Sequence, residues 1–253
     1  MIIFYFTATG NSLYVAKRLG GELCSIPRMM KEGKREFSDD AIGVVFPCFA
    51  FGLPRIVVEF LQQSIFTADY IFAVMTYGNM AASGLQHLEK VGGQVGISFD
   101  YTNEIRMIDN YLPMFNMEEQ LEKEGETHID ETLKKIVNDV TSREHRLTRK
   151  GMGSVVFSKL IHAFFSKGLP YMDKQFRVNE QCNRCKICEK VCPRGNIRVG
   201  HTPEYLHHCE GCYACIHHCP QNAIHIKSER SNARFRNAQV TLQEIIAANN
   251  QGR

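Results

Sequence analysis

Eight of the ten cysteines lie between Cys182 and Cys219, where they form an internal repeat. The run CNRCKICEKVCP, which begins at Cys182, recurs 27 residues later as CEGCYACIHHCP, which begins at Cys209. Each run has three cysteines separated by two residues, then a fourth that is followed by proline. Few protein sites need eight thiols in this pattern, so the repeat restricts the chemistry of this region more than any other feature.

Three thiolates on one tight loop can bind three corners of an iron-sulfur cubane, whereas the fourth lies too far along the chain to complete the same cluster. In the bacterial two-cluster pattern, the fourth cysteine ligates the other cluster. The spacing therefore predicts two 4Fe-4S clusters with crossed ligands. The first set is Cys182, Cys185, Cys188 and Cys219, and the second set is Cys209, Cys212, Cys215 and Cys192.

Zinc and disulfide bonds are the alternatives for these thiols. Zinc also takes four cysteines, but typically from paired C-x-x-C units rather than from two runs of three plus one. The chain begins with an apolar segment that lacks a basic start, so we expect no signal peptide and a cytoplasmic location, where disulfide frameworks are rare. Of the two remaining cysteines, we expect Cys48 to be a small buried residue and assign no role to Cys24.

The first 100 residues alternate short apolar runs with helical patterns, which is typical of a parallel sheet covered by helices on both faces. We expect an α/β domain with an open, doubly wound sheet of five strands. The expected strands are 2–6, 22–26, 41–47, 70–76 and 94–99, with 22–26 at the edge. The expected helices are 12–19, 54–62 and 82–91.

The loop Thr7–Ser12 follows the first expected strand and opens a helix. Its hydroxyls, its glycine and the free N–H groups of a helix start can form a phosphate cradle that needs no cation, although a Ser/Thr-rich helix cap is the simpler interpretation. In open α/β sheets, ligands bind at the carboxyl ends of the strands. Two other loops are expected at that edge, Pro47–Gly52 and Thr76–Asn79, and they offer aromatic walls for a flat ring.

The rest of the chain excludes some partners and suggests further helices. Thirty basic and twenty-seven acidic side chains leave a net charge of +3, which does not indicate a nucleic-acid partner. The uncharged stretch 70–88 is interrupted by polar and glycine residues, so we expect no membrane span. After a polar segment at 103–127, we expect helices at 129–146, 155–165 and 242–248, with the second packed on the sheet domain or bridging to the cysteine region.

The stretch from Phe4 to Ser12 is similar to the phosphate loop of flavodoxins, which bind FMN. The motifs IGVVFP at 42–47, GLP at 52–54 and MIDNY at 107–111, followed by the two cysteine runs, resemble the EFR-type ferrodoxin family of flavodoxin-ferredoxin fusions. The resemblance extends over nearly the whole chain, to about Ile226. The chain has Ile108 where the family often has proline, and it has no tryptophan to stack on a flavin.

The resemblance implies a flavodoxin-like FMN domain at 1–168, a small α+β ferredoxin domain with two 4Fe-4S clusters at 169–230, and a C-terminal linker with a short helix at 231–253. The residues implied to hold the FMN phosphate are Thr7, Thr9, Gly10, Asn11 and Ser12. Those implied to flank the isoalloxazine are Pro47, Phe49, Ala50, Phe51, Tyr77, Gly78 and Asn79. The stacking aromatic is left open among Tyr77, Phe49, Phe51 and Tyr111.

The function implied is electron transfer in anaerobic metabolism, between FMN and the two clusters and onward to a redox partner protein or a small-molecule acceptor. A flavin-dependent reductase that acts directly on a small acceptor, with segment 103–127 as a lid, is the second hypothesis. A zinc module that only binds a partner is the third. The first function, electron transfer between FMN and the clusters, requires no catalytic acid, base or nucleophile. The chain has no G-x-G-x-x-G loop that would indicate a dinucleotide site, and the sequence leaves the oligomeric state open.

Overall fold

The computed structural model describes residues 1–123, 125 and 127–251, and it contains the expected five-stranded parallel sheet. The strand order is β2-β1-β4-β6-β7, and every neighbouring pair is parallel. The strands are β1 (Ile2–Tyr5), β2 (Glu22–Ser25), β4 (Ala41–Pro47), β6 (Tyr70–Tyr77) and β7 (Tyr101–Arg106). This order is that of the flavodoxin-like doubly wound fold, so the predicted fold class is confirmed.

The central strands are buried because helices cover both faces of the sheet, as their nearly continuous apolar sequences predict. Position 43 of β4 requires glycine, because a Cβ there would overlap the ring of Phe72 on β6. The helices of this layer are α1 (Asn11–Leu19), α2 (Ile26–Glu32), α3 (Arg55–Gln63) and α4 (Gly84–Gln94). A second, two-stranded parallel sheet joins β3 (Glu36–Ser38) to β5 (Ile65–Thr67), neither of which is among the expected strands.

The position predicted for the fifth strand, 94–99, is wrong. Helix α4 extends to Gln94, and the edge strand is β7, which begins at Tyr101. The apolar residues Ile97 and Phe99 are buried because they pack against Gly92 of α4 from a loop. An edge strand has only one strand neighbour, so β7 accommodates polar residues that do not form an apolar run.

The polar segment after β7 folds back on the domain, and its residues 124 and 126 lie outside the described part of the chain. It contains the short helix α5 (Met117–Glu122) and is followed by the amphipathic helix α6 (Ile129–Thr141). Leu133, Ile136 and Val140 of α6 are buried, but the helix ends at Thr141 rather than at the predicted Arg146. Arg146 instead lies beside β7, where its carbonyl accepts a hydrogen bond from the Thr102 N–H at 2.9 Å.

Helix α7 (Met152–Ser166) differs from its expected environment. Its large apolar side chains are mostly exposed rather than packed on the sheet domain, with Leu160 at 69% and Phe164 at 78% exposure. A 3-10 helix at Leu169–Gln175 then leads into the cysteine region. Among the described residues, no helix has both the length and the apolar character to cross a membrane.

The cysteine region is a small α+β unit, as expected. It has two antiparallel strand pairs, β8 with β11 and β9 with β10, and each pair contacts one short helix. The elements are β8 (Phe176–Val178), α8 (Ile187–Lys190), β9 (Ile197–Val199), β10 (Pro203–Tyr205), α9 (Ala214–His217) and β11 (Ile224–Ile226). The C-terminal helix α10 (Leu242–Asn249) begins with a capping box formed by Thr241 and Glu244, and it packs against α2 and α8. The last two positions of the expected C-terminal segment, 252–253, lie outside the described residues.

Candidate functional site

The structure divides the eight clustered cysteines between two cavities. The first cavity is lined by Cys182, Cys185 and Cys188 of the first run and by Cys219 of the second run. The second cavity is lined by Cys209, Cys212 and Cys215 of the second run and by Cys192 of the first run. Each cavity therefore combines three thiols of one run with the fourth thiol of the other, which is the grouping that crossed ligation requires.

The two runs place their thiols by the same local backbone geometry. Arg184 and Lys186 in the first run, and Gly211 and Tyr213 in the second, have positive φ angles, which fold each C-x-x-C-x-x-C segment into a compact loop. Backbone donors then point at the fourth sulfurs in equivalent positions. The Asn196 N–H donates to Cys192 Sγ at 3.3 Å, and the Ala223 N–H donates to Cys219 Sγ at 3.2 Å.

The two cavities differ in their exposure to solvent. Cys185 in the first cavity is exposed, whereas all four cysteines of the second cavity are buried. Burial raises the pKa of the Cys188 and Cys209 thiols to about 12, and it raises the pKa of Cys212 and Cys215 well above the usual value. A buried thiolate needs a compensating positive centre, so the donor set fits a group that contains a metal.

The second cavity also contains two buried phenols. Tyr205 and Tyr213 line it, and in the described structure neither hydroxyl has a hydrogen-bond partner that meets standard geometry. Burial raises the pKa of both phenols, so each keeps its proton at neutral pH. The Tyr205 hydroxyl is therefore a free donor beside the thiols, and a sulfur acceptor in the cavity would satisfy it, whereas the Tyr213 hydroxyl interacts with Tyr111.

Within the described parts of the chain, no group of three or more His, Cys, Asp or Glu side chains has the geometry of a site for one metal ion, and this includes the thiols of the two cavities. The two cysteines outside the repeat lie apart from it. Cys48 is near the Ala81 carbonyl, with Sγ and O 3.5 Å apart, and Cys24 is half-buried on the edge strand β2.

The predicted phosphate loop lies at the carboxyl end of β1 and is buried. Its oxygen atoms take part in local hydrogen bonds: Thr7 Oγ1 accepts from the Gly10 N–H at 3.1 Å, and Ser12 Oγ lies 2.9 Å from Thr76 Oγ1. Helix α1, which follows, has no side-chain cap at its N-terminus. Because Thr7 Oγ1 acts as an acceptor in the loop, its own hydrogen is free to be donated. These groups provide neutral donors of the kind that fit a phosphate monoester.

The loops expected beside a flavin ring lie at the same sheet edge. The Cys48 N–H donates to the Thr76 carbonyl at 2.8 Å, and the rings of Phe6 and Phe49 meet edge to face with centroids 5.8 Å apart. Ala50 and Phe51 have positive φ angles and form a tight turn that Phe49 and Gly52 close with two backbone hydrogen bonds. The structure thus brings three predicted segments to one edge of the sheet. They are the phosphate loop and the two segments expected to flank the flavin ring, 47–51 and 77–79.

The C-terminal segment, which was expected to be a linker, also covers this edge. The Asn237 N–H donates to the Thr9 carbonyl at 2.8 Å, and Asn249 Nδ2 donates to the Thr7 carbonyl at 2.9 Å. A Cβ on Gly10 would lie 2.9 Å from Asn237 Cβ. Asn249 has no exposed surface, so this segment is packed firmly on the loop.

The motif 107–111 also contacts the predicted loops. Asn11 Nδ2 donates to the Ile108 carbonyl at 3.1 Å, and Asn110 Nδ2 donates to Thr9 Oγ1. Asp109 accepts from the Asn79 N–H at 2.9 Å and fills the space beside Gly78. The first part of the segment hypothesised to be a lid is therefore bonded to the phosphate loop and to the loop at 77–79.

Two contacts connect this sheet edge to the cysteine region. His217 of α9 donates from Nε2 to the Asn110 carbonyl at 2.9 Å, and its Nδ1 accepts from the Phe235 N–H at 3.1 Å. The rings of Tyr111 and Tyr213 lie 5.6 Å apart. Sequence reasoning did not identify Asn110 or His217 as site residues, although the motif that contains Asn110 was part of the family resemblance.

An ion-pair cluster makes a further connection between the two regions. Arg194, which follows the first cysteine run, pairs with Glu210 beside Cys209 and with Glu59 of α3. Glu210 also accepts a hydrogen bond from the Ile56 N–H at 3.2 Å. These contacts join the second cavity to the helix that follows the aromatic turn at 50–51.

No model of a known protein family matches the chain. A stretch of 49 residues, 18% of the chain, is 37% identical to the pyruvate synthase subunit PorD of Methanocaldococcus jannaschii and covers 57% of that protein. A stretch of 51 residues, also 18% of the chain, is 45% identical to one component of an ion-translocating oxidoreductase complex from Methanosarcina acetivorans and covers 18% of it. The chain thus spans little more than half of the first relative and about a fifth of the second.

Two solved structures resemble part of the fold. A candidate flavoprotein from Bacteroides uniformis is 16% identical, with a TM-score of 0.32, and the match covers 48% of this chain and 94% of that one. The Trp repressor binding protein of Bacillus subtilis is 14% identical, with a TM-score of 0.31, and the match covers 42% and 84%. The sequence similarity of the chain is therefore to components of a pyruvate synthase and of an ion-translocating oxidoreductase complex.

Proposed function

We propose that this chain is an electron-transfer protein that holds two 4Fe-4S clusters in the two cysteine cavities and FMN at the carboxyl edge of the sheet. The observation that carries the proposal is the division of eight thiols into two sets of four, each with one member from the opposite run. The similarity to components of two larger assemblies supports a role with redox partner proteins.

The arrangement of the thiols favours clusters over zinc. Zinc typically takes four cysteines from paired C-x-x-C units. Here each set of four combines three cysteines of one run with one cysteine of the other. The N–H groups that point at Cys192 and Cys219 suit cluster ligands as well, because hydrogen bonds to the sulfurs help to set the potential of a cluster.

When bound, FMN would supply one- or two-electron steps and each cluster would supply one-electron steps. The residues proposed to hold the FMN phosphate are Thr7, Thr9, Gly10, Asn11 and Ser12, and the loops 47–51 and 77–79 are proposed to flank the ring. The chain itself then orients the groups and excludes water. Asn110 links the phosphate loop to His217, and Tyr111 meets Tyr213 at the wall of the second cavity.

The proposed domains follow the sequence analysis: FMN at 1–168, two clusters at 169–230, and a C-terminal segment from 231. Residues Asn237 and Asn249 of that segment bond the phosphate loop. We therefore include the segment in the proposed FMN site. The physiological setting is proposed to be anaerobic electron transfer in the cytoplasm.

The cofactor content tests the proposal directly. Protein purified without oxygen is expected to be brown and to contain about eight iron and eight sulfide per chain, as two cubanes require, together with one FMN. A colourless protein with two zinc ions would overturn it. Steady reduction of a small acceptor with no partner protein added would instead indicate a flavin-dependent reductase.

Crossed ligation is tested by comparing cysteine variants by electron paramagnetic resonance of the reduced protein. Cys219→Ala is expected to lose the same cluster signal as Cys185→Ala, and Cys192→Ala the same signal as Cys212→Ala. Cys24→Ala, far from both cavities, should keep both signals. If Cys219→Ala instead matched Cys212→Ala, each run would bind its own cluster and the crossed assignment would be wrong.

A further inference from the structure

Helix α7 has its apolar and polar sides reversed relative to an ordinary surface helix. Ser158 is 2% exposed and, with His162, lies on the side that faces the rest of the protein. Val156, Phe157, Leu160 and Phe164 are 57%, 58%, 69% and 78% exposed. At 100° per residue these four side chains fall within one arc of the helix, so they form a continuous apolar face.

Polar contacts and the chain on its C-terminal side hold this helix in place. His162 donates from Nδ1 to the Ala50 carbonyl at 2.9 Å, and its ring lies against Gly52, where a Cβ would be 2.6 Å away. In the following 3-10 helix, Leu169 packs on Gly211 of the second cysteine run. The helix is thus anchored on its polar side while its apolar face points away from the core. An apolar face of this kind marks an interaction surface.

The charge around the helix indicates the chemistry of the partner. Between His145 and Met172 the chain has five Lys or Arg residues and no Asp or Glu. Three of the five pair with carboxylates of the sheet domain: Arg146 with Asp139, Arg149 with Glu89, and Lys150 with Glu104. In the part of the chain that the structure describes, the other two, Lys159 and Lys167, form no ion pair. A second copy of this surface would oppose its own positive charges, so the patch suits an anionic surface.

We propose that α7 docks the protein on an anionic phospholipid bilayer and lies in the plane of the interface. Phe157, Leu160 and Phe164 would enter the boundary between headgroups and acyl chains, with Lys159 and Lys167 at the headgroups. Its 15 residues extend about 22 Å, which is shorter than a bilayer core of about 30 Å, so the helix binds without spanning. Tyr171, 55% exposed in the 3-10 helix that follows α7, is an aromatic residue of the kind suited to the interface.

This inference goes beyond the proposed function, because it concerns where the protein binds rather than what it transfers. Flotation of the full, cofactor-loaded chain with vesicles tests it. Binding is expected with equal parts of phosphatidylglycerol and phosphatidylcholine, and much weaker binding with phosphatidylcholine alone. Leu160→Ser with Phe164→Ser is expected to weaken binding by tenfold or more, that is, by at least ~1.4 kcal/mol. Lys159→Gln with Lys167→Gln is expected to weaken it by about fivefold for each lysine.

Ile65→Ser is the matched control, because Ile65 is a 60% exposed apolar residue on β5, away from the helix. It should bind vesicles like the unaltered protein. Iron content and the absorption spectrum are expected to be unchanged in every variant. These two readouts therefore distinguish a loss of vesicle binding from a failure of the proposed function. The proposal would be overturned if the protein bound both vesicle types equally. It would also be overturned if the Leu160/Phe164 variant bound as tightly as the unaltered protein. A dimer in light scattering that this variant dissociates would also overturn it, since a second copy would then cover the face.

Discussion

Arg194 and Glu210 form a buried ion pair in which the carboxylate is 1% exposed and the guanidinium 15% exposed. Arg194 also reaches Glu59, with Nη2 and Oε1 3.0 Å apart, so one guanidinium joins two carboxylates from different regions of the chain. Glu210 lines the second cysteine cavity and Glu59 belongs to α3. This cluster holds the cysteine region against the sheet domain, since one guanidinium joins a buried carboxylate of the first to a partly exposed carboxylate of the second.

Removal of the guanidinium should destabilise the protein strongly. In Arg194→Met, Glu210 would keep a buried charge without its partner, so we expect the free energy of unfolding to fall by about 3–5 kcal/mol. Urea denaturation of the protein with its cofactors bound measures this fall in the free energy of unfolding. The matched control is Arg28→Met, because Arg28 and Glu32 form an exposed pair that contributes about 0.5 kcal/mol at most. Equal losses in the two variants would mean that the buried cluster contributes no more to the free energy of unfolding than an exposed ion pair does.

The phosphate loop has no room for a side chain at Gly10. A Cβ there would lie 2.9 Å from Asn237 Cβ, and the residue has a φ of 106°. Gly10→Val, combined with Thr9→Ala, is expected to lower FMN retention and leave the iron content intact. The measurement is the ratio of flavin to iron after gel filtration. Gly20→Val is the control, since Gly20 also has a positive φ, 81°, but open space around it. Loss of iron together with flavin would show that the flavin site is misplaced.

The free phenol of Tyr205 should raise the potential of the cluster proposed in the second cavity. A hydrogen bond to a cluster sulfur stabilises the more negative, reduced form. Tyr205→Phe is therefore expected to reduce the equilibrium constant for reduction of that cluster about twofold to tenfold. Tenfold corresponds to about 59 mV for one electron. A spectroscopic redox titration measures it, with the first cluster and the exposed Tyr171→Phe variant as controls. An unchanged midpoint in Tyr205→Phe would contradict the role of the phenol.

Acid should loosen the contact between α4 and the turn at 50–53. His87 Nδ1 accepts a hydrogen bond from the Leu53 N–H, and burial, together with His162, lowers the pKa of His87 from 6.5 to about 4. The unfolded chain binds this proton below pH 6.5 and the folded chain only near pH 4. The stability from this site is therefore complete above pH 6.5 and falls as the pH decreases toward 4.

Amide hydrogen exchange at Leu53 between pH 7 and 4, corrected for the intrinsic rate, measures this loss. The variant His87→Gln is the control, since its side chain does not titrate in this range. It should show a flatter dependence on pH over the same interval. An identical pH dependence in the two proteins would assign the effect to other groups.

Two kinds of sequence pattern predicted their structures well. The spacing of the cysteines and the prolines after Cys192 and Cys219 predicted which thiols share a cavity. Continuous apolar runs predicted β1, β4 and β6, because central strands are covered on both faces and have no polar positions. The fifth strand was misplaced because an edge strand is only partly covered, and a nearby loop carried the stronger apolar signal.

Patterns within short segments were enough to predict most of the sheet, the position of the loop at the carboxyl end of its first strand, and the grouping of the thiols around the two cavities. The folded chain alone reveals that Asn110, Asn237 and Asn249 bond the predicted phosphate loop and that Arg194 joins Glu59 to Glu210. The outward direction of the apolar side of α7 is likewise visible only after folding. Most of these features depend on partners more than 50 residues apart in the chain, and local periodicity holds no information about which distant surface a segment will meet.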